Sequence, residues 1–146
     1  VDTDADLNCQ THNLYPETTS GAQAVSTAAA TAIGMGTANT NAIIARMNDG
    51  IVTSSADYAA GLARGYVGAG GTSDWFLPSK DELKAMYDYS KLSGFNSAQF
   101  GFNTGGHWSS SQNGASVAWF QNFGNGDQRS DGNKNAAGHV RPVRAF

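Results

Sequence analysis

A chain of 146 residues with 18 glycines and a net charge of −3 can bury one real core, and its glycine content argues against a helical bundle. The charge is uneven: residues 1–106 hold ten acids against five Lys/Arg, and residues 107–146 hold two against four. Neither part has the basic stripe of a nucleic-acid surface, and no apolar run suits a membrane span or a basic-then-apolar leader. The single cysteine, Cys9, excludes an internal disulfide and a multi-cysteine zinc site.

The chain opens VDTDADLNCQTHNLYPETTSG. Asp2, Asp4 and Asp6 alternate as calcium ligands do, but the glycine and distal Glu of an EF-hand loop are missing, so residues 1–20 read as an extended, solvated acidic segment. Residues 22–33 are Ala/Thr-rich and fit helix and strand alike. In GMGTANTNAIIARMNDG, Gly34 and Gly36 interrupt the chain, Thr40 is placed to cap, and Ile43, Ile44 and Met47 share one face of a helix that Gly50 ends. The GxG here lacks a third glycine and a preceding strand, which argues against a dinucleotide loop. Ser55 is placed to cap a second, short helix from Asp57 to Tyr66 with Tyr58, Leu62 and Tyr66 as its stripe, and Gly68, Gly70 and Gly71 follow as a loop.

SDWFLPSKDELKAMYDYSKLSG carries the sharpest local signal. Trp75 to Leu77 reads as a short extended segment, and Pro78 biases Leu77 the same way. Ser79 and Glu82 form a capping box, each satisfying a backbone donor at the helix start. Asp81 and Glu82 sit at the positive end of the helix dipole. Leu83, Met86 and Tyr87 make the buried stripe, and Gly94 closes the helix. Capping accounts for the Ser-Lys-Asp run without any catalytic role.

From His107 to Phe146 the pattern changes to anchors (Trp108, Trp119, Phe123, Val140, Val143, Phe146) separated by Gly, Asn, Ser and Asp. Around Trp119 it has the period of a strand: Val117, Trp119, Gln121 and Phe123 leave one face, Ala118, Phe120, Asn122 and Gly124 the other. Trp119 and Phe123 are expected to anchor the strand by burial. Phe120 and Asn122 are expected to face outward. A turn over Gly124–Gly126 brings back a strand on which Asp127, Arg129 and Asp131 alternate, and these residues with Phe120, Asn122 and His139 are expected on one solvent-accessible face. Arg141 and Arg144 read as structural, paired with acids such as Asp74 or Glu82.

Enzyme chemistry finds no constellation. His12, His107 and His139 show no metalloprotease or deaminase spacing, Cys9 has no marked His or Asn partner, and the acids form no recognisable acid/base pair. The expectation is a protein that is not an enzyme and uses no metal and no cofactor.

Taken in order, SDWFLPSKDEL, HWSSSQ, AWFQNFGNG, a lone Lys and VRPVRAF resemble a family of C-type-lectin-like domains whose pattern runs DWxLPxxxEL, YWSSS, AWxxxFxxG, K and VRPVR. The resemblance covers residues from about Gly34 to Phe146 and implies one α+β domain over residues 1–146. Its fold has two helices beside a small twisted antiparallel sheet, with long loops, chain ends close together and residues 107–146 displaying the ligand site. His107 stands where the family has Tyr. The family includes heads of bacterial collagen-like adhesins that bind sulfated glycans, and variable proteins of diversity-generating retroelements, whose C-terminal region is mutated to create new specificities. An extracellular, cell-surface or virion location follows from the resemblance, as does a protein or other macromolecular partner, with a fixed-specificity glycan-binding adhesin head as the alternative. The lectin calcium triplets Glu-Pro-Asn, Gln-Pro-Asp and Trp-Asn-Asp are all absent, which disfavours calcium-mediated sugar binding. Formylglycine-generating enzymes share a related fold, but their paired catalytic cysteines have no counterpart here. A sulfated-glycan reader would be basic, whereas the pI is about 5.4.

Residue choice favours the diversified branch. Adenine-directed mutation of an Asn codon cannot produce Lys, Gln, Glu, Met or Trp. The anchors Trp108, Gln112, Trp119, Gln121, Gln128 and Lys134 all belong to that excluded set. The intervening Asn113, Gly114, Ser116, Val117, Phe120, Asn122, Gly124, Asp127, Arg129, Ser130, Asp131, Gly132, Asn135, Gly138 and His139 are all reachable. From these, Asn113, Ser116, Phe120, Asn122, Gly124, Asp127, Arg129, Ser130, Asp131 and His139 are the candidate ligand-binding residues.

Overall fold

The computed structural model describes residues 30–48, 58–94, 104–114, 116–134 and 136–145, together with the strand 11–13. The acidic start, Cys9, Ser55, Asn135 and Phe146 lie outside the described residues. Three α-helices are present among these, α1 (Gly36–Asn48), α2 (Ala59–Gly65) and α3 (Lys80–Ser90), with a short 3₁₀ turn at Ala69–Gly71. The strands are β1 (Thr11–Asn13), β2 (Gly106–Gln112), β3 (Val117–Asn122), β4 (Gln128–Asn133) and β5 (Ala137–His139). The fold is α+β and consistent with a C-type-lectin-like domain. It has one helix more than the two implied by resemblance, and its sheet is mixed.

The sheet order is β1-β5-β2-β3-β4. All neighbours are antiparallel except β2 and β5, which meet in parallel at His107 and His139. β1 pairs with β5, the first of the described strands with the last. In the β3–β4 pair, Phe120 opposes Arg129 but Ala118 opposes Gly132, so β4 holds one residue more than β3 between these points, a bulge.

α3 forms as its sequence dictates. Ser79 N–H donates to Glu82 Oε2 (2.7 Å), Glu82 N–H donates to Ser79 Oγ (3.3 Å), and Leu83 is fully buried. Glu82 also accepts Gly34 N–H at Oε1 (2.9 Å), so it fixes the chain before α1. The arginine expectation holds for Arg144, whose Nε lies 3.1 Å from Asp74 Oδ1. α1 starts four residues before Thr40, at Gly36, which corrects Thr40 as a cap. Thr40 is instead buried inside the helix, where its hydroxyl accepts Leu77 N–H (3.0 Å) and donates to Leu77 O (3.2 Å). One threonine thereby satisfies both polar groups of an extended residue, the role a neighbouring strand would fill. Next to it, Phe76 and Val143 exchange backbone hydrogen bonds (2.8 and 2.9 Å), tying the VRPV segment to the loop before α3.

The core joins Ile43 and Met47 of α1, Tyr58 with Ala59, Ala60 and Ala63 of α2, Leu77, Trp108, Ala118 and Val140. α2 is shorter than its predicted span. Its buried side is alanine, with Leu62 only partly covered and Tyr66 stacked edge-on against Trp75 (4.9 Å). Both faces of β3 are covered, and this corrects the reading of Trp119 as the buried anchor and Phe120 as the outward residue. Ala118 is fully buried, and Phe120 packs against the core edge-on to Trp108 (6.1 Å). On the other face Gln121 and Phe123 are buried, and Trp119 is half-covered with Lys80 Nζ 4.9 Å from its ring centre.

Candidate ligand-binding surface

The β3–β4 hairpin is closed by its own asparagines. Asn122 N–H donates to Asp127 O and Gly126 N–H to Asn122 O, both at 2.9 Å. Asn122 Oδ1 accepts Gly124 N–H (2.8 Å) and Asn125 N–H (3.3 Å), an Asx turn. Asn125 Nδ2 donates to Asp127 Oδ2 (2.8 Å), which ties that exposed carboxylate to the turn. Asn122 is half-buried, and its side-chain oxygen serves the turn.

Beyond the turn, β4 forms one edge of the sheet, and Arg129 and Asp131 are exposed on it. The guanidinium grips the carboxylate twice, Nε to Oδ1 at 3.0 Å and Nη2 to Oδ2 at 2.6 Å, with the side chains 59% and 62% exposed. This hydrogen-bonded fork raises the pKa of Arg129, with Asp127 adding to the effect, and lowers that of Asp131. Because both partners are wet, the fork contributes little to stability and opens readily for a ligand. Arg129 stands opposite Phe120 on β3, so a half-buried ring flanks the exposed charge pair.

Asn113 and Ser116 lie exposed in the turn from β2 to β3. Asn113 N–H donates to Val117 O (3.0 Å), Asn113 Nδ2 reaches Ser130 O (3.4 Å), and Lys134 N–H donates to Ser116 O (3.0 Å). These bonds draw the turn to the far half of β4, so Asn113, Ser116 and half-buried Ser130 meet there. Asn122, Gly124 and Asp127 gather at the opposite end of the hairpin, with Arg129 and Asp131 between.

His139 does not join them. β2 and β3 stand between β5 and β4, which puts it roughly 14 Å away at ordinary strand spacing. It is half-buried against His107, with ring centres 5.2 Å apart. The expectation of one face for all these residues is therefore corrected: Phe120 belongs to the edge of the core and His139 to another sector of the sheet.

Framework chemistry lies beneath this surface. His107, only 1% exposed, packs against Phe123 (4.6 Å), and its Nδ1 bonds Gly105 O (3.1 Å). Burial, reinforced by nearby His139 and Arg141, depresses its pKa to about 4 even though the Gly105 bond opposes this. Lys134, 2% exposed, donates to Gln112 Oε1 (2.9 Å), and burial lowers its pKa to about 8. A lone lysine among loop residues gave little sign in the sequence of such burial. Its membership in the codon-excluded set and its place in the ordered family pattern were the signals. Among the described residues no three His, Cys, Asp or Glu side chains gather to hold a metal, and no helix is long and apolar enough to cross a membrane.

The profile of the Lcl C-terminal domain family matches residues 8–144. This chain belongs to that family. It is a C-type-lectin-like family found in retroelement variable proteins and in adhesins, and membership makes this Lcl C-terminal domain a lectin-like ligand-binding domain for a protein or glycan. No curated protein and no solved structure matches the chain.

Proposed function

We propose that this Lcl C-terminal domain is a receptor-recognition module whose C-terminal region is diversified by a retroelement on a fixed lectin-like scaffold. It acts by binding, without catalysis or cofactor, and it is displayed outside the cell, on a cell surface or a virion. One observation carries the reading. The residues that adenine mutation of Asn codons cannot reach coincide with framework: Trp108, Gln121 and Lys134 are buried, Gln112 accepts from Lys134, Trp119 lies under Lys80, and Gln128 donates to Lys80 O (2.8 Å). Reachable residues occupy the exposed positions Asn113, Ser116, Asp127, Arg129 and Asp131. A surface of paired charges and amides beside a partly covered ring suits a protein partner, where Arg and aromatic side chains carry much of the binding energy.

Sequencing the flanking DNA tests diversification. The expected result is an imperfect copy of the codons for residues 107–146, differing at adenines, beside a reverse transcriptase gene. A complete flanking sequence without such a copy would remove the retroelement from the reading. The family's presence in adhesins keeps a fixed glycan-binding head as the second reading. Asp127 and Asp131 would repel sulfate groups, so that head would take neutral glycans, and strong selective binding on a neutral-glycan array would favour it.

A further inference from the structure

Reachable by mutation is not the same as free to vary, and three glycines in the proposed variable region show why. Gly132 on β4 and Gly138 on β5 lie under the two ends of the Trp108 indole. A Cβ on Gly132 would stand 2.7 Å from Trp108 Cζ3 and 2.8 Å from Phe120 Cδ1. One on Gly138 would stand 2.7 Å from Trp108 Nε1. Neither glycine has a positive φ, so close approach, and not backbone conformation, demands them. Trp108 is buried and wedged from both sides, so moving away from one added carbon drives it toward the other glycine. Gly124, although exposed, is closed for another reason: a Cβ there would meet the backbone oxygen of Thr104 at 2.9 Å.

Resting on the diversification reading, we infer that ligand choice is set by Asn113, Ser116, Asp127, Arg129 and Asp131, while Gly124, Gly132 and Gly138 are sterically locked within the same region. The five are exposed, none packs in the core, and together they run along the β4 edge and the adjoining turn. Mutagenesis that reaches the glycines yields mostly lost folds. The usable repertoire is therefore narrower than the codons allow, and it is confined to the β4 side of the sheet.

Two measurements test this. Gly132→Ala and Gly138→Ala each add only the carbon in question. At a site with room, Gly→Ala commonly stabilises by restricting the unfolded chain, so a lowered midpoint in chemical denaturation is the distinctive expectation. The cost of each should shrink in a Trp108→Leu background. Unchanged or raised midpoints, or equal costs in both backgrounds, would overturn the steric lock. In the second measurement the five positions are randomised on displayed domain, sorted for protease resistance and then selected on immobilised lysozyme as a model protein. Folded clones that bind it, with binding lost on reverting the five, are expected. A folded library with no binders would refute the assignment of ligand choice and the recognition reading with it, while the glycine result would stand separately.

Discussion

Two strands of this sheet look alike as sequences and live in opposite surroundings. β2 reads Gly-His-Trp-Ser-Ser-Ser-Gln and β4 Gln-Arg-Ser-Asp-Gly-Asn, both polar and neither alternating with large apolar residues. In β2 every residue from His107 to Ser111 is buried, because β5 and β3 flank it while α1 and α3 pack against it. Two of its three serines, Ser109 and Ser111, serve as short clips to the surrounding backbone. Ser109 Oγ donates to Trp119 O (2.8 Å). Ser111 Oγ donates to Ala30 O (2.7 Å) and accepts Lys80 N–H (3.1 Å). In β4 the polar groups of Arg129 and Asp131 meet each other and water. Place in the sheet, more than composition, decides whether a polar strand is framework or surface.

The largest effect should come from emptying the site of Trp108. Trp108→Ala is expected to cost about 3–5 kcal/mol in chemical denaturation, and a change within error would mean that β2 is not the centre of the domain. Acid comes next. The folded pKa of His107 is about 4 against an ordinary 6.5, so above pH 6.5 both states hold the neutral ring and no penalty arises. As pH falls from 6.5 toward 4 the unfolded chain takes a proton that the folded chain refuses, and stability drops by about 3 kcal/mol before levelling. Denaturation midpoints across this range should show the loss, and His107→Tyr should flatten that part of the profile. A slope unchanged in the variant would assign the acid sensitivity elsewhere.

Ser111→Ala should cost about 1–3 kcal/mol, since it strands the Lys80 N–H, while the Ala30 carbonyl keeps its bond from Asn39 Nδ2 (2.7 Å). The same change at exposed Ser116 should not move the midpoint, and equal effects at the two serines would erase the contrast between buried and surface polar groups. Smallest of all, Arg129→Ala with Asp131→Ala should leave the unfolding temperature unchanged, and so should a chelator added to the unmodified domain. A large shift in the first would make β4 framework. A large shift in the second would reveal a structural ion.

How much of this was legible in the sequence depended on range. The capping box of α3 was readable because its partners are three residues apart. The strand over Val117–Asn122 was readable from its period. Which of its faces is core was not, because both are covered and alternation carries no sign. Thr40 looked like a cap because hydroxyl residues favour that place, and its true partner, Leu77, lies 37 residues away. The separation of His139 from Arg129 follows from β5 pairing across β2, a choice made by the sheet as a whole. The lock on Gly132 and Gly138 needs the position of one indole, which no local pattern encodes.

The bulge in β4 has a consequence for how such a domain can evolve. Were β4 to pair without the bulge, unbroken register from Phe120 and Arg129 would bring Asp131 opposite Ala118, in the place Gly132 now holds beneath Trp108. A carboxylate would then be pressed against a buried ring. The bulge therefore keeps the glycine in register, and a chain that lost Ser130 or Asp131 would keep it there by regular pairing. Extra residues at the hairpin tip would leave the register untouched. The surface can change its letters at a few positions and its length at the hairpin tip or the bulge, so long as Gly132 stays beneath the indole.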